Sequence, residues 1–172
     1  MVSSLLLADA RAVCETVPDP EMPFVTVGDL GIVRDVIVDD GGRVEVVVTP
    51  TYSGCPATEV IRDDIVAALR ARGFADVEVR TVLAPAWTTD WITPAGLEKL
   101  ARNGIAPPSP RVGGTSTGGV VDAGAVDVSL GVRCPRCGSI QTKLVSRFGA
   151  TPCQAMYRCV DCLEPFDHVK PH

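Results

Sequence analysis

The sequence predicts an α+β fold, a small α/β sandwich with element order α-β-β-α-β-α, followed by a small C-terminal zinc-ribbon domain. Three observations carry this expectation. Two β-branched runs, 32–38 and 44–48, flank Asp39-Asp40-Gly41-Gly42, whose glycines supply the positive φ that a tight hairpin needs. A helix-period segment and a third, alternating run follow them, which is the pattern of helices laid on a short sheet. Near the C-terminus stand two Cys-x-x-Cys pairs, Cys134/Cys137 and Cys159/Cys162, separated by the twenty-one residues 138–158.

In chain order, Ser3 or Ser4 is placed to cap a first helix reaching about Thr16, with Leu5, Leu6, Ala12, Val13 and Cys14 as its apolar side. Pro18, Pro20 and Pro23 then forbid regular structure and leave a stiff loop carrying Asp19 and Glu21. After the hairpin, Pro56-Ala57 opens a second helix to Arg72, with Ile61, Ile65 and Leu69 at helical spacing and Gly73 as its stop. Val77 to Leu83 alternates apolar and polar residues, as a strand with one packed face does. Trp87 to Trp91 reads as a polar-aromatic loop. Thr93-Pro94 caps a third helix running to about Asn103, with Gly104 ending it. The expected domain plan is 1–104 for the α/β domain, 105–126 for a Pro- and Gly-rich linker, and 127–172 for the ribbon. Within the ribbon, strands are expected near 127–133, 142–148 and 156–158.

The chain has 172 residues, 46% hydrophobic and 22% charged, a composition of folded domains rather than of disorder. A net charge of −5 argues against nucleic acid as a partner of the whole chain. No apolar run approaches a membrane span, and the start of the chain lacks the features of a secretory signal. Seven cysteines, an odd number with two metal-type pairs, fit a reducing cytoplasmic setting better than a disulfide framework. Between Arg133 and Arg158 there are five Lys/Arg and no acidic residue, a local excess that balances thiolate charge or meets an acidic partner.

Two groups of residues can carry chemistry. The first lies in the α/β domain: Asp19 and Glu21 in the proline loop, Asp29 before the first strand, Thr49 and Thr51 after the second, and Cys55 just before the second helix. A thiol at a strand-to-helix junction faces the free N–H groups and positive end of the helix, which favour thiolate. Such a thiolate beside carboxylates suits a transient iron or iron–sulfur ligand. The domain has no His to serve as general base, which weakens a nucleophilic enzyme reading. No residue is assigned a catalytic role. The second group is Cys134, Cys137, Cys159 and Cys162, four soft donors for a tetrahedral ion. Structural Zn²⁺ fits a segment too short to build its own core. The cysteine spacing alone leaves a rubredoxin-like iron site open. Cys153 reads as a packing or spare thiol, and His168 and His172 as surface histidines.

Asp19-Pro20-Glu21-Met22-Pro23, Asp29-Leu30-Gly31-Ile32-Val33, Thr49-Pro50-Thr51 and Gly54-Cys55-Pro56 together resemble the iron–sulfur-assembly domain family of SufT-like proteins. The ribbon segments Cys134 to Ser139, Phe148 to Cys153 and Tyr157 to Asp167 narrow the resemblance to the PaaD family, a component of the phenylacetyl-CoA 1,2-epoxidase system. The resemblance implies an accessory subunit in aerobic phenylacetate catabolism that matures the iron–sulfur or di-iron centres of partner subunits, the oxygenase and the reductase. It places cluster or iron transfer on Asp19, Glu21, Asp29, Thr49, Thr51 and Cys55, with zinc in the ribbon and a transient Fe or iron–sulfur cluster as cargo. A structural or adaptor subunit is the alternative, and a homodimer is a further assembly considered. The linker would let the ribbon dock on a partner while the first domain handles metal.

Overall fold

The computed structural model describes residues 2–52, 54–108 and 132–171. The first half has the expected order: helix α1 (Val2–Glu15), strands β1 (Val33–Val38) and β2 (Val44–Val48), helix α2 (Ala57–Arg72), strand β3 (Val77–Thr81) and helix α3 (Pro94–Arg102). A short 3-10 turn, Thr89–Trp91, precedes α3. β1 and β2 form an antiparallel hairpin, and β3 joins β2 in parallel, so α2 is the crossover between them. Asp39 closes the hairpin by accepting the N–H of Gly41 and of Arg43 on Oδ1.

Packing follows from spacing. α2 buries Ala57, Ile61, Ile65 and Leu69, four residues each four apart, against Val44, Val46, Val48 and Val79 of the sheet. Gly73 ends α2 with φ 112°, its N–H reaching the carbonyls of Leu69 and Arg70. α1 differs from expectation. Leu5 and Leu6 are exposed, and Ala12 is too; the buried positions are Ala10 and Cys14, with Leu7 and Val13 beside them. The stripe 7-10-14 lies on one side of a helix, and Leu5 and Leu6 lie off it. Thr93 caps α3 by accepting the N–H of Gly96.

The second sheet contains strands β4 (Ile105–Ala106), β5 (Thr142–Ser146), β6 (Gln154–Cys159) and β7 (Pro165–Val169) in the order β4-β7-β6-β5. The sequence pattern does not predict β7. Nor does it predict β4, which falls where the linker is expected to begin and pairs in parallel with β7. Val132 and Arg133 carry no strand, and the remainder of the strand expected near 127–133 lies outside the described residues, as do 109–131 and His172. The two halves are joined in three ways. β4 continues from α3 into the ribbon sheet, Val169 at the end of β7 belongs to the core of the first half, and Gln154 Nε2 donates to Met22 Sδ at 3.1 Å. The ribbon sheet therefore packs against the first half at these points, while most of the expected linker lies outside the described residues. No helix among the described residues is long and apolar enough to cross a membrane.

Candidate functional site

The proline loop is held shut by its own backbone. Asp19 N donates to Val25 O, Val25 N to Met22 O, and Val27 N to Val17 O. The Asp19 carboxylate accepts the N–H groups of Glu21 and Met22 at 2.9 and 2.8 Å, both on Oδ1. Asp19 as a whole is only 5% exposed. Opposite this loop, Cys55 lies between the end of β2 and α2, with its N–H on Tyr52 O. Asp19, Glu21, Thr51 and Cys55 line one small cavity of about 20 Å³, whose remaining wall is largely apolar. Thr58 of α2 also lines it, and so does Cys153, from the loop before β6.

The structure does not bring Asp29 and Thr49 to this cavity. Asp29 sits at a packing junction. Its Oδ2 receives Thr26 N–H at 2.9 Å and Lys99 Nζ at 2.5 Å, and its carbonyl receives Thr93 N–H. The next residue, Leu30, accepts the indole N–H of Trp87 at 2.8 Å. Gly31 follows with φ 66°, and a Cβ there would lie 2.5 Å from the Trp91 carbonyl. Asp29-Leu30-Gly31 thus fastens the segment 87–102 to the domain. Thr49 lines a separate cavity with Tyr52, Leu83 and Trp87; it is 1% exposed, and its Oγ1 is buried without a hydrogen-bond partner among the described residues.

The electrostatics of the cavity correct the expectation for Cys55. Its pKa is raised, chiefly by burial and further by the Glu21 carboxylate; the Ala57 N–H and the hydroxyls of Thr58 and Thr51 pull it down without prevailing. Pro56 rather than Cys55 is the residue flanking α2, so the helix end helps the thiol less than the sequence suggests. Burial also raises Asp19, against the two N–H groups it accepts, and raises Glu21, with the Asp19 charge adding to it. Cys153 is raised by burial, with Glu21, Cys55 and Asp19 contributing repulsion. Asp29 behaves oppositely. Burial raises it, but Lys99 and Thr26 outweigh that, and its pKa is lowered.

The second centre is the ribbon cluster. The four sulfurs of Cys134, Cys137, Cys159 and Cys162 lie within 4.8 Å of one another. Cys134–Cys162 and Cys137–Cys159 are 3.7 and 3.6 Å apart. A tetrahedral ion with Zn–S bonds of about 2.3 Å requires sulfurs about 3.8 Å apart, so the donor set fits zinc. Each Cys-x-x-Cys turns back immediately after its second cysteine, at Gly138 with φ 76° and at Leu163 with φ 63°. In the second turn Cys162 N–H points at Cys159 Sγ, 3.5 Å away, the largest cause of a Cys159 pKa lowered to about 7. His168, expected at the surface, is 5% exposed in β7 with Tyr157 edge-on to its ring, and burial lowers its pKa to about 4.

The chain is similar to known proteins in both halves. Residues 7–81 match the model of an iron–sulfur cluster assembly protein family, and residues 121–170 match the PaaD zinc beta ribbon domain. An Escherichia coli (strain K12) protein, provisionally named as the D component of 1,2-phenylacetyl-CoA epoxidase, is 46% identical over 92% of this chain and 89% of its own length. The Fe-S protein maturation auxiliary factor YitW of Bacillus subtilis (strain 168) is 39% identical over 44% of this chain and 74% of its own. A crystal structure of a domain of unknown function, DUF59, from Bacillus anthracis superimposes with a TM-score of 0.54 at 27% identity, covering 58% of this chain and 95% of that one. An iron–sulfur-assembly domain joined to a PaaD-type ribbon, with such identity along most of its length, places this chain in the PaaD family of 1,2-phenylacetyl-CoA epoxidase components.

Proposed function

We propose that the protein is an accessory subunit of the phenylacetyl-CoA 1,2-epoxidase system that matures metal centres of its partner subunits, and that the Cys55 cavity is where iron is held in transit. One observation carries the reading: a thiol and two carboxylates line a cavity of about 20 Å³. A space of that size takes about one water-sized occupant. Buried acidic groups without a counter-charge are costly, and a divalent cation relieves the cost. Cys55 supplies a soft donor, Asp19 and Glu21 hard ones, and Thr51 and Thr58 hydroxyls support the sulfur. The ribbon cysteines hold a permanent Zn²⁺ that organises the second sheet.

The test is to produce the reductase and oxygenase subunits with this chain, without it, and with its Cys55→Ser variant. Iron–sulfur content of the reductase and di-iron occupancy of the oxygenase are then measured. Several-fold lower occupancy in the last two cases is expected. Equal occupancy in all three overturns the proposal. A second reading, a structural adaptor, is favoured by the apolar residues exposed on and beside β5, namely Ile140, Leu144, Val145 and Phe148. That reading predicts full occupancy with Cys55→Ser.

A further inference from the structure

The cavity beside Cys55 has a wall that the first half of the chain does not supply. Cys153 comes from the ribbon, nearly a hundred residues further along, and it is buried at 8% exposure. Its position is tightly set. Its sulfur lies 3.0 Å from Thr151 Oγ1, its carbonyl accepts Lys170 N–H, and the next residue, Gln154, reaches across to Met22. Met22 is itself held by the Asp19 carboxylate. Cys153 is thus fixed to the loop that carries Asp19 and Glu21, and it stands outside the ribbon's own four-sulfur cluster. Asp19 adds a second observation: it is only 5% exposed and lines the same cavity, its Oδ1 anchored by the N–H groups of Glu21 and Met22.

We infer that Cys153 is the second thiol ligand of the cargo site, so that the site is composite, built across both halves of the chain, and takes a single Fe²⁺ between Cys55 and Cys153 with Asp19 or Glu21 completing the set. The inference rests on the transit reading of the Cys55 cavity and goes beyond it. The cavity as it stands has room for about one water-sized body, which a single ion matches. The donor chemistry agrees: two thiols and carboxylates suit a divalent ion between hard and soft. Binding is a substitution without redox change. Two thiols lose their protons to solvent as two Fe–S bonds form. Only the ribbon cysteines bring three or more donor atoms within 4.8 Å of one another among the described residues, so the proposed site requires side-chain movement to place three donors on the ion. A site that must close is suited to release as well as to capture. The zinc ribbon then has a definite task, to hold Cys153 opposite Cys55.

The test uses the full, zinc-loaded chain, given excess ferrous iron without oxygen and then desalted. Iron and zinc are counted, and X-ray absorption at the iron edge gives the number of sulfur ligands. Wild type is expected to retain one iron beside its zinc, with two sulfurs. Cys55→Ser and Cys153→Ser should each keep the zinc, lose one sulfur and bind iron ~10-fold or more weakly. Cys14→Ser, a buried thiol that does not line the cavity, should match wild type. One sulfur in the wild type, or a Cys153→Ser protein that matches it, overturns the composite site and leaves Cys55 as the transit ligand. Iron binding indifferent to both variants, or iron retained only by displacing zinc, overturns the transit reading as well. Should Cys153→Ser lose zinc through misfolding, the wild-type sulfur number decides alone.

Discussion

The chain holds cysteine sulfurs in two ways that differ in readiness. In the ribbon, four sulfurs already stand at tetrahedral separations, and a backbone N–H is aimed at one of them. At the Cys55 cavity, donors from three segments share one wall without converging, and burial favours the protonated form of each. A preorganised set binds tightly and lets go slowly. A set that must deprotonate and move binds less tightly and exchanges. The contrast teaches that the stronger motif marks the lasting ion, while the weaker one is the place to look for an ion in passage.

Stripping the metal is the most drastic way to break this contrast. A structural Zn²⁺ contributes on the order of 10 kcal/mol of folding free energy to such a module. Chelated protein, or a Cys159→Ser variant, is expected to lose amide-exchange protection throughout β5, β6 and β7 while α2 stays protected. Protection of the ribbon without metal would show that its sulfurs are not its keystone. Cys55→Ser, by contrast, should leave zinc content and ribbon protection unchanged.

A milder disturbance acts on β7, the strand that ties ribbon to first domain. His168 is buried there, its Nε2 without a partner among the described residues, and its pKa is held to about 4 against 6.5 when unfolded. Between those values the unfolded chain binds more protons, so stability declines as pH falls from 6.5 towards 4. The loss between pH 7 and pH 5 is about 2 kcal/mol from this group. Urea unfolding of zinc-loaded wild type and His168→Phe at both pH values isolates the effect. The wild type should lose about 2 kcal/mol more than the variant; equal losses would place the acid sensitivity in the thiolates alone.

How much of this is legible in the sequence depends on range. The hairpin at Asp39 to Gly42, the Gly73 stop and the Thr93-Pro94 start are local devices, and the structure has each in place. The chemistry-bearing residues Asp19, Glu21, Thr51 and Cys55 stand out one by one in the sequence, and the fold does bring them together. What escapes a sequence reading is set by distant contacts. β7 is five residues that become a strand because β4 and β6 flank them, and that pairing buries His168. Cys153 looks spare in the sequence because its partner wall is far away along the chain. The helix-end argument for Cys55 considers the dipole and not the cavity, where burial outweighs it. Asp29 and Thr49 group with the site in sequence by their loop positions and by the resemblance, and neither lines the cavity.

Asp29 tests that last grouping. Its carboxylate joins Lys99 to the Thr26 turn, and its lowered pKa means that the pair stabilises the fold above the unfolded value of 3.8 and weakens as pH falls below it. Asp29→Asn is expected to cost about 1–2 kcal/mol by thermal or urea unfolding at pH 7. It should leave iron and zinc binding unchanged. A variant of full stability that no longer retains iron would return Asp29 to the site.

Thr49 gives the smallest effect and the most specific one. Its Oγ1 is buried with no hydrogen-bond partner among the described residues. Leaving a hydroxyl so placed costs about 1 kcal/mol or more, and valine keeps the shape without the polar group. If Thr49 only packs, Thr49→Val should be neutral or stabilise by up to about 1 kcal/mol, with iron retention intact. If instead the hydroxyl waits for an incoming ion or a water bound to it, the same change should leave stability nearly untouched and weaken iron retention. Stability and iron binding move in different combinations under the two roles. Measuring both on one conservative variant therefore shows whether Thr49 acts in iron binding or only in packing.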